Sequence, residues 1–126
     1  MTILIVDDDA GIRQLVTLFL RHKGYQAASV ANGAEALSYV QHNRPLPELI
    51  LLDLMMPVMD GSEFRHTQQQ DPELAPIPVV VMSAAENIEA QAPSLTADAY
   101  LPKPIDFDTL LTLVETYCNQ SRQQGG

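Results

Sequence analysis

The stretch Glu48-Leu-Ile-Leu-Leu-Asp53 is an apolar run that ends in a carboxylate, and Leu54-Met-Met-Pro57-Val-Met-Asp60-Gly61 follows it directly. Two other apolar runs, at 3–6 and 79–82, also end in polar side chains. Unbroken apolar runs of this length are typical of strands covered on both faces of a parallel sheet. Because the carboxyl ends of parallel strands share one edge of the sheet, these polar side chains are expected to meet there.

Five strand-like segments alternate with five helix-like segments along the chain. The strands are predicted near 2–6, 25–30, 48–53, 78–83 and 98–102, and the second alternates in polarity as an edge strand does. Such alternation predicts parallel strands, right-handed crossovers and helices on both faces. The predicted fold is therefore a doubly wound (βα)5 α/β domain, a flavodoxin-like three-layer sandwich with strand order 2-1-3-4-5.

Three helices carry an apolar stripe that would face the sheet. The stripe residues are Ile12, Leu15, Val16 and Phe19 in the first helix, Ala36, Leu37 and Val40 in the second, and Phe107, Leu110, Leu111, Val114 and Cys118 in the last. Asp9 is expected to cap the first of these helices, and Asp106 or Asp108 the last.

The remaining two helices are predicted less clearly. The third, near 61–70, has Thr67 and Gln68 where an apolar stripe should continue. The fourth must end before Pro93, because a proline inside a helix removes a backbone donor. About two turns near 86–92 are left for it, so this helix is expected to be brief and mobile. The domain is predicted to span 1–120, with a polar tail at 121–126 and fraying from 119 onward.

Composition excludes several classes of protein. The formal net charge is −9 and the 7 lysines and arginines are scattered, so neither direct nucleic-acid binding nor a basic membrane surface is expected. No signal peptide or membrane span is predicted. Cys118 is the single cysteine, which fits a reducing compartment and a cytoplasmic location. The histidines lack partners at metal-ligand spacing and are interpreted as solvated: His22, His42 and His66.

Asp7, Asp8 and Asp53 would lie together at the carboxyl edge of the sheet. Two like charges about 4 Å apart repel by about 4 kcal/mol at an effective dielectric of about 20. A divalent cation would remove that cost, and hard oxygen donors suit Mg²⁺ or Mn²⁺. Asp53 could be a third ligand or a nucleophile that accepts a phosphoryl group. The alternative is that these aspartates only solvate strand ends and cap a helix.

Among three more candidate side chains, Lys103 follows a predicted strand, Ser83 ends one and Tyr100 lies within one. Pro104 holds Lys103 extended, which would aim its ammonium toward the carboxylates, although a surface turn is the simpler alternative. Ser83 could donate to a phosphoryl oxygen or cap the next helix. Tyr100 could be a core aromatic residue or a ring with two positions.

In these residues the chain resembles a response regulator receiver domain, the phosphoacceptor half of two-component signalling, over essentially all of 2–120. The family's acidic pair, phosphoacceptor, Ser/Thr switch, aromatic switch and Lys-Pro pair correspond, in order, to Asp7 with Asp8, Asp53, Ser83, Tyr100 and Lys103 with Pro104. The Asp-x-x-Met-Pro-x-Met-Asp-Gly pattern is complete from Asp53 to Gly61.

The resemblance implies that Mg²⁺ is bound by Asp8, Asp53 and the Met55 backbone carbonyl, with Asp7 acting mainly through water. A histidine kinase or phosphotransfer protein would then donate a phosphoryl group to Asp53. The domain would catalyse only its own phosphorylation and slow dephosphorylation, and so would not be an enzyme acting on other substrates.

The resemblance also implies a switch. Lys103 and Ser83 would hold the phosphoryl oxygens, and the inward movement of Ser83 would let Tyr100 turn in. The altered surface would bind an unidentified downstream protein, or a second copy in a phosphorylation-dependent homodimer.

The chain departs from the family's usual pattern in two places. The stretch from Ser83 to Tyr100 is about two residues shorter than is common, and a frequent glycine is replaced around Thr96. The third helix has Arg65 and Gln68 where the family usually has apolar residues.

Two other functions remain open. One is a Mg²⁺-dependent phosphohydrolase with Asp53 as nucleophile, although that class usually has a second acid where this chain has Met55. The other is a phosphorylation-independent interaction module on the same fold.

Overall fold

The computed structural model describes residues 2–43, 45–54, 59, 61–84, 88 and 97–125, and for residues 62 and 119–125 the backbone alone. The strands are β1 (Thr2–Val6), β2 (Gln26–Val30), β3 (Leu49–Asp53), β4 (Val79–Ala84) and β5 (Ala99–Lys103). The helices are α1 (Ala10–His22), α2 (Gly33–His42), α3 (Gly61–Gln70) and α4 (Phe107–Gly125), which is called the C-terminal helix below.

The strands form one parallel sheet in the order β2-β1-β3-β4-β5, as the sequence predicts. Ile3 pairs with Leu49, and Ile50 pairs with Val79, so β1, β3 and β4 run side by side through the centre. Asp53 is the last residue of β3, and Asp7 comes directly after β1. The neighbouring strands therefore deliver both carboxylates to one edge of the sheet.

Alternate residues of the central strands fill two separate cores. Ile50 and Leu52 belong to the core under α2 and α3, whereas Leu49 and Leu51 belong to the core under α1 and the C-terminal helix. Both sets are almost fully buried, which explains why β3 is apolar without interruption. Helices on both faces of the sheet give the three layers that the sequence predicts.

Helix α1 faces the sheet through a different part of its surface from the one predicted. Val16 and Leu20 are its buried residues, whereas Leu15 is 60% exposed, so the prediction that Leu15 is buried was wrong. An apolar helix with several leucines allows more than one stripe, and only the docking against β1 and β2 selects one. Asp9 caps α1 as predicted, accepting hydrogen bonds from the N–H groups of Gly11 and Ile12 at 2.8 and 3.2 Å.

Helix α3 forms although its sequence lacks an apolar stripe. Gln68 is fully buried, and its Nε2 donates to the carbonyl oxygens of Leu74 at 2.9 Å and Ile77 at 3.0 Å. Its Oε1 accepts a hydrogen bond from Arg65 Nη1 at 2.9 Å, and Arg65 is only 8% exposed. The Gln68 amide is therefore buried because both of its ends are hydrogen-bonded, the oxygen to Arg65 and the nitrogen to the connection to β4.

The C-terminal helix is capped by Asp106, whose carboxylate accepts from the Thr109 hydroxyl at 2.8 Å and from the Asp108 N–H at 3.1 Å. Leu110, Val114 and Cys118 are buried as predicted, while Leu111 is only half-buried.

The backbone is helical to Gly125, and the fraying predicted from 119 onward stays a prediction. The boundary at residue 120 stays a prediction. The expected helix near 86–92, apart from residue 88, and Pro93 lie outside the described residues.

Strand β2 is the edge strand that the sequence predicts. Arg21 Nη2 donates to the carbonyl oxygen of Ala27 in this strand at 2.9 Å, and the Val30 carbonyl accepts from the Asp7 N–H at 3.1 Å. The three histidines are exposed, as predicted: His22, His42 and His66. Within the described part of the chain, no helix has the length and apolar character needed to cross a membrane.

Candidate functional site

Three carboxylates meet at the carboxyl edge of the sheet, as the sequence predicts. Asp7 is fully buried, Asp53 is 4% exposed, and Asp8 is exposed to solvent. One carboxylate oxygen from each of the three residues lies within 4.8 Å of the other two. The group combines two buried acceptors with one that solvent can reach.

Asp7 is held in place by hydrogen bonds from its surroundings. Its Oδ1 accepts from the N–H of Asp9 at 2.9 Å, and its Oδ2 accepts from Lys103 Nζ at 2.9 Å. Its backbone carbonyl accepts from Arg13 Nη1 at 2.7 Å, a contact that nothing in the sequence pattern indicated. Because both carboxylate oxygens already have donors, Asp7 is suited to an orienting role.

Lys103 joins two of the carboxylates. Its Nζ lies 2.9 Å from Asp7 Oδ2 and 3.5 Å from Asp53 Oδ2, so one ammonium neutralises parts of two charges. Burial lowers the pKa of Lys103, but the hydrogen bond to Asp7 and the negative charges of Asp53 and Asp7 outweigh it and leave the pKa raised. The ammonium therefore stays charged throughout the physiological pH range. Lys103 is the last residue of β5, and its peptide bond to Pro104 is cis.

Ser83 and Tyr100 lie on the neighbouring strands β4 and β5. Ser83 is 2% exposed and pairs with Pro102, one residue before Lys103, so its hydroxyl belongs to the same edge of the sheet as the carboxylates. Tyr100 pairs with Val81 and is half-buried against the core under α2 and α3. The ring thus lies two strands away from Asp53, on the face of the sheet that α3 covers.

Gly61 is a site residue that the sequence indicated only as a turn. Its N–H donates to the carbonyl of Leu54, the residue that follows β3, at 2.9 Å, and so holds the start of α3 beside the end of that strand. A Cβ atom at this position would lie 2.5 Å from the Asp53 carbonyl oxygen. In the sequence, the Asp60-Gly61 pair is the feature that indicated a special role for this glycine. The Met55 carbonyl, the remaining predicted metal ligand, lies outside the described residues.

The donor set is suited to a divalent metal ion. It offers three carboxylates, and one ammonium offsets only part of their charge. Oxygen donors of this kind, with one ligand exposed to solvent, are typical of Mg²⁺ sites. The like charges would be stabilised by such an ion, so the residues present fit it.

A comparison with protein families gives a match over residues 3–115 to the family described as response regulator receiver domain. One curated relative is the response regulator Rre1 of a Synechocystis species, which is 35% identical over 98% of this chain and 53% of its own length. The chain spans about half the length of the first curated relatives it matches.

Solved structures show the same likeness. The receiver domain of a signal transduction histidine kinase from Syntrophus aciditrophicus has a TM-score of 0.86 at 29% identity, covering 94% of this chain and 90% of its own. The chemotaxis protein CheY4 of Vibrio cholerae has a TM-score of 0.81 at 30% identity, covering 92% of this chain and 97% of its own.

Proposed function

This chain belongs to the response regulator receiver domain family of two-component signalling, and we propose that it is a switch operated by phosphorylation of Asp53. The observation that carries the proposal is the cluster of Asp7, Asp8 and Asp53 with Lys103 bridging two of its members. A carboxylate beside a fixed ammonium and a metal-binding pair has what acyl phosphate formation needs.

The proposed donor is a phosphohistidine of a histidine kinase or a phosphotransfer protein. A carboxylate oxygen of Asp53 attacks the phosphorus, an O–P bond forms, and the N–P bond breaks with its electron pair returning to the imidazole. Lys103 Nζ, 3.5 Å from Asp53 Oδ2, is placed to follow the negative charge as it moves onto the phosphoryl oxygens. The Ser83 hydroxyl on the adjacent strand would donate to another of these oxygens.

Asp8 and Asp53, with the Met55 carbonyl, would hold Mg²⁺, and Mn²⁺ would fit the same oxygen donors. The ion would neutralise charge on the transferring group when it is bound. Asp7 already accepts from Lys103 and from the Asp9 N–H, so its contact with the ion would run mainly through water. The chain therefore supplies orientation and charge compensation, and its chemistry acts on its own Asp53 rather than on a released product.

Phosphorylation would then change a surface. Ser83 drawn toward the phosphoryl group would leave space beside Val81, with which Tyr100 pairs, and the half-buried ring could turn inward. This is a local charge change that biases an element with two positions. The output would be binding of a downstream protein or of a second copy, in the cytoplasm, where Cys118 would stay reduced.

Phosphorylation can be tested with the chain alone. The protein is incubated with Mg²⁺ and acetyl phosphate, and the intact mass is compared with that of Asp53→Asn. We expect wild type to gain one phosphoryl group and the variant none. In parallel, beryllofluoride with Mg²⁺ should bind wild type and not Asp53→Asn. Equal labelling of both proteins, or none of either, would refute the proposal, and turnover of small phosphate esters would favour a phosphohydrolase instead.

A further inference from the structure

The Arg13 side chain reaches back from α1 to the loop that precedes this helix. Its Nη1 donates to the Asp7 carbonyl oxygen at 2.7 Å, which is at the short end of the range for N–H···O hydrogen bonds. Arg13 stands in the first turn of the helix, and its own N–H donates to the Asp9 carbonyl at 3.0 Å. Because the side chain is half-buried and its backbone is helical, the guanidinium has a firm support.

The Asp7 carbonyl belongs to the peptide unit that joins Asp7 to Asp8. Because a peptide unit is planar, the direction of its carbonyl fixes the plane that contains the nitrogen and the Cα atom of Asp8. The other side of Asp7 is also held, since its N–H donates to the Val30 carbonyl at 3.1 Å and both its carboxylate oxygens accept hydrogen bonds. Arg13 thus fixes the part of Asp7 from which the chain continues to Asp8.

Asp8 depends on this peptide unit more than the other two carboxylates of the cluster do. Asp7 and Asp53 are buried, and the Lys103 ammonium lies 2.9 and 3.5 Å from their oxygens. Asp8 is exposed, although one of its oxygens lies within 4.8 Å of an oxygen of each of the other two. The direction of its carboxylate therefore follows mainly from the backbone that carries it.

We infer that Arg13 is a positioning residue for the Asp8 carboxylate, because its guanidinium fixes the peptide unit from which Asp8 projects. This inference rests on the proposed function, in which Asp8 is a ligand of Mg²⁺. Hydrogen-bond partners that orient metal ligands typically change metal affinity by about 10- to 100-fold. The charge of the guanidinium acts in the opposite direction, since it repels a divalent cation. The sign of the effect on metal affinity therefore separates orientation from charge.

The test compares metal binding by wild type and Arg13→Met, in which methionine keeps an unbranched apolar stem but has no donor and no charge. Water-proton relaxation measures the affinity for Mn²⁺, and competition measures the affinity for Mg²⁺. We expect Arg13→Met to bind both ions about tenfold more weakly than wild type. Equal affinity would show that Arg13 only supports the fold, and tighter binding would show that it acts only through its charge. Either result would overturn the inference.

Arg21→Met is the matched control. Arg21 also lies on α1, and its Nη2 donates to the Ala27 carbonyl, again six residues away in the chain, but in the edge strand β2. This variant loses the same charge and the same kind of hydrogen bond, and its metal affinity should stay unchanged. Arg13→Lys keeps a cation on a side chain that is one atom shorter, so it should bind about threefold more weakly than wild type. Should Arg13→Met fail to fold, binding by Arg13→Lys as tight as that of wild type would overturn the inference.

Backbone amide resonances give a readout that needs no metal ion. In ¹⁵N-labelled, metal-free protein, Arg13→Met should shift the Asp8 amide signal, because that nitrogen shares a peptide unit with the Asp7 carbonyl. Arg21→Met should shift the Ala28 amide signal instead, and an unmoved Asp8 signal in Arg13→Met would refute the positioning. If wild type binds neither ion, the proposed function fails and the inference fails with it. If wild type binds them and Arg13→Met binds them as tightly, the inference alone fails.

Discussion

Replacing Gly61 by alanine should damage the phosphoacceptor strand through backbone contact alone. The added Cβ would lie 2.5 Å from the Asp53 carbonyl oxygen and 2.9 Å from the Leu54 Cα, whereas ordinary contact begins at 3.4 Å. Strand and helix must therefore separate by about 0.9 Å at the closest pair. Because both partners are backbone atoms, no side-chain rotation can relieve the overlap.

The cost follows from two terms. Overpacking of a tight site costs about 1–3 kcal/mol. Separation also weakens the hydrogen bond from the Gly61 N–H to the Leu54 carbonyl, which contributes about 1 kcal/mol. We expect Gly61→Ala to lower the free energy of unfolding by about 2–4 kcal/mol. Displacement of Asp53 should also weaken beryllofluoride binding in the fraction that stays folded.

Urea unfolding followed by far-ultraviolet circular dichroism measures the stability term. Gly11→Ala is the matched control, because the atom nearest to the added Cβ is a side-chain oxygen, Asp9 Oδ1 at 3.2 Å, rather than a backbone atom, and alanine favours the helix. It should change stability by less than about 1 kcal/mol. The reasoning is refuted if Gly61→Ala unfolds at the same urea concentration as wild type, or if both alanine variants lose the same stability.

Three further outcomes are expected. Asp8→Asn should stabilise the metal-free protein by up to about 1 kcal/mol, because it removes a like charge from the carboxylate cluster. In thermal melts, the variant should lose most of the stabilisation that Mg²⁺ gives to wild type. An unchanged response to Mg²⁺ would contradict the proposed site. The unfolding free energy should fall as the pH rises above about 10.4, the ordinary lysine pKa, and through the raised pKa of folded Lys103, because the charged form is the one that Asp7 stabilises. Lys103→Met should flatten this fall in pH-dependent urea titrations, whereas Lys23→Met should not. Gln68→Leu should lower the free energy of unfolding, measured with urea, by about 2–4 kcal/mol. The carbonyls of Leu74 and Ile77 and the Arg65 guanidinium would each lose a buried hydrogen-bond partner. A loss below about 0.5 kcal/mol would show that water replaces the amide.

The sequence was sufficient for the sheet and for the position of the site because both depend on local signals. An apolar run covered on both faces, such as the one ending at Asp53, has few alternatives to a central parallel strand. Strand ends then converge by topology, so Asp7, Asp53 and Lys103 could be placed together without any knowledge of packing. A helix N-cap also depends only on neighbouring residues, so the sequence was sufficient to identify Asp9 as the cap of α1.

Packing between distant segments was not predictable in the same way. Helix α1 is apolar enough to dock in more than one rotation, and its contact with the sheet buries Leu20 and leaves Leu15 in solvent. In α3, Gln68 looked unsuited to a core because its partners, the carbonyls of Leu74 and Ile77, come from a later turn whose path the sequence does not reveal. Departures from apolar patterning can therefore mark buried polar pairs as well as exposed faces.

The bond from Arg21 to Ala27 has a consequence for how this molecule behaves in a crowded solution. Backbone groups along a strand point alternately to either side; the Val30 carbonyl points to β1, so the Ala27 carbonyl points away from it. An outer row of such groups is where sheets of separate molecules join and aggregation begins. Arg21 occupies an acceptor in that row and adds a positive charge beside it. The hydrogen bond from Arg21 to Ala27 thus opposes the addition of a strand from another molecule at the β2 edge of the sheet, the edge opposite β5.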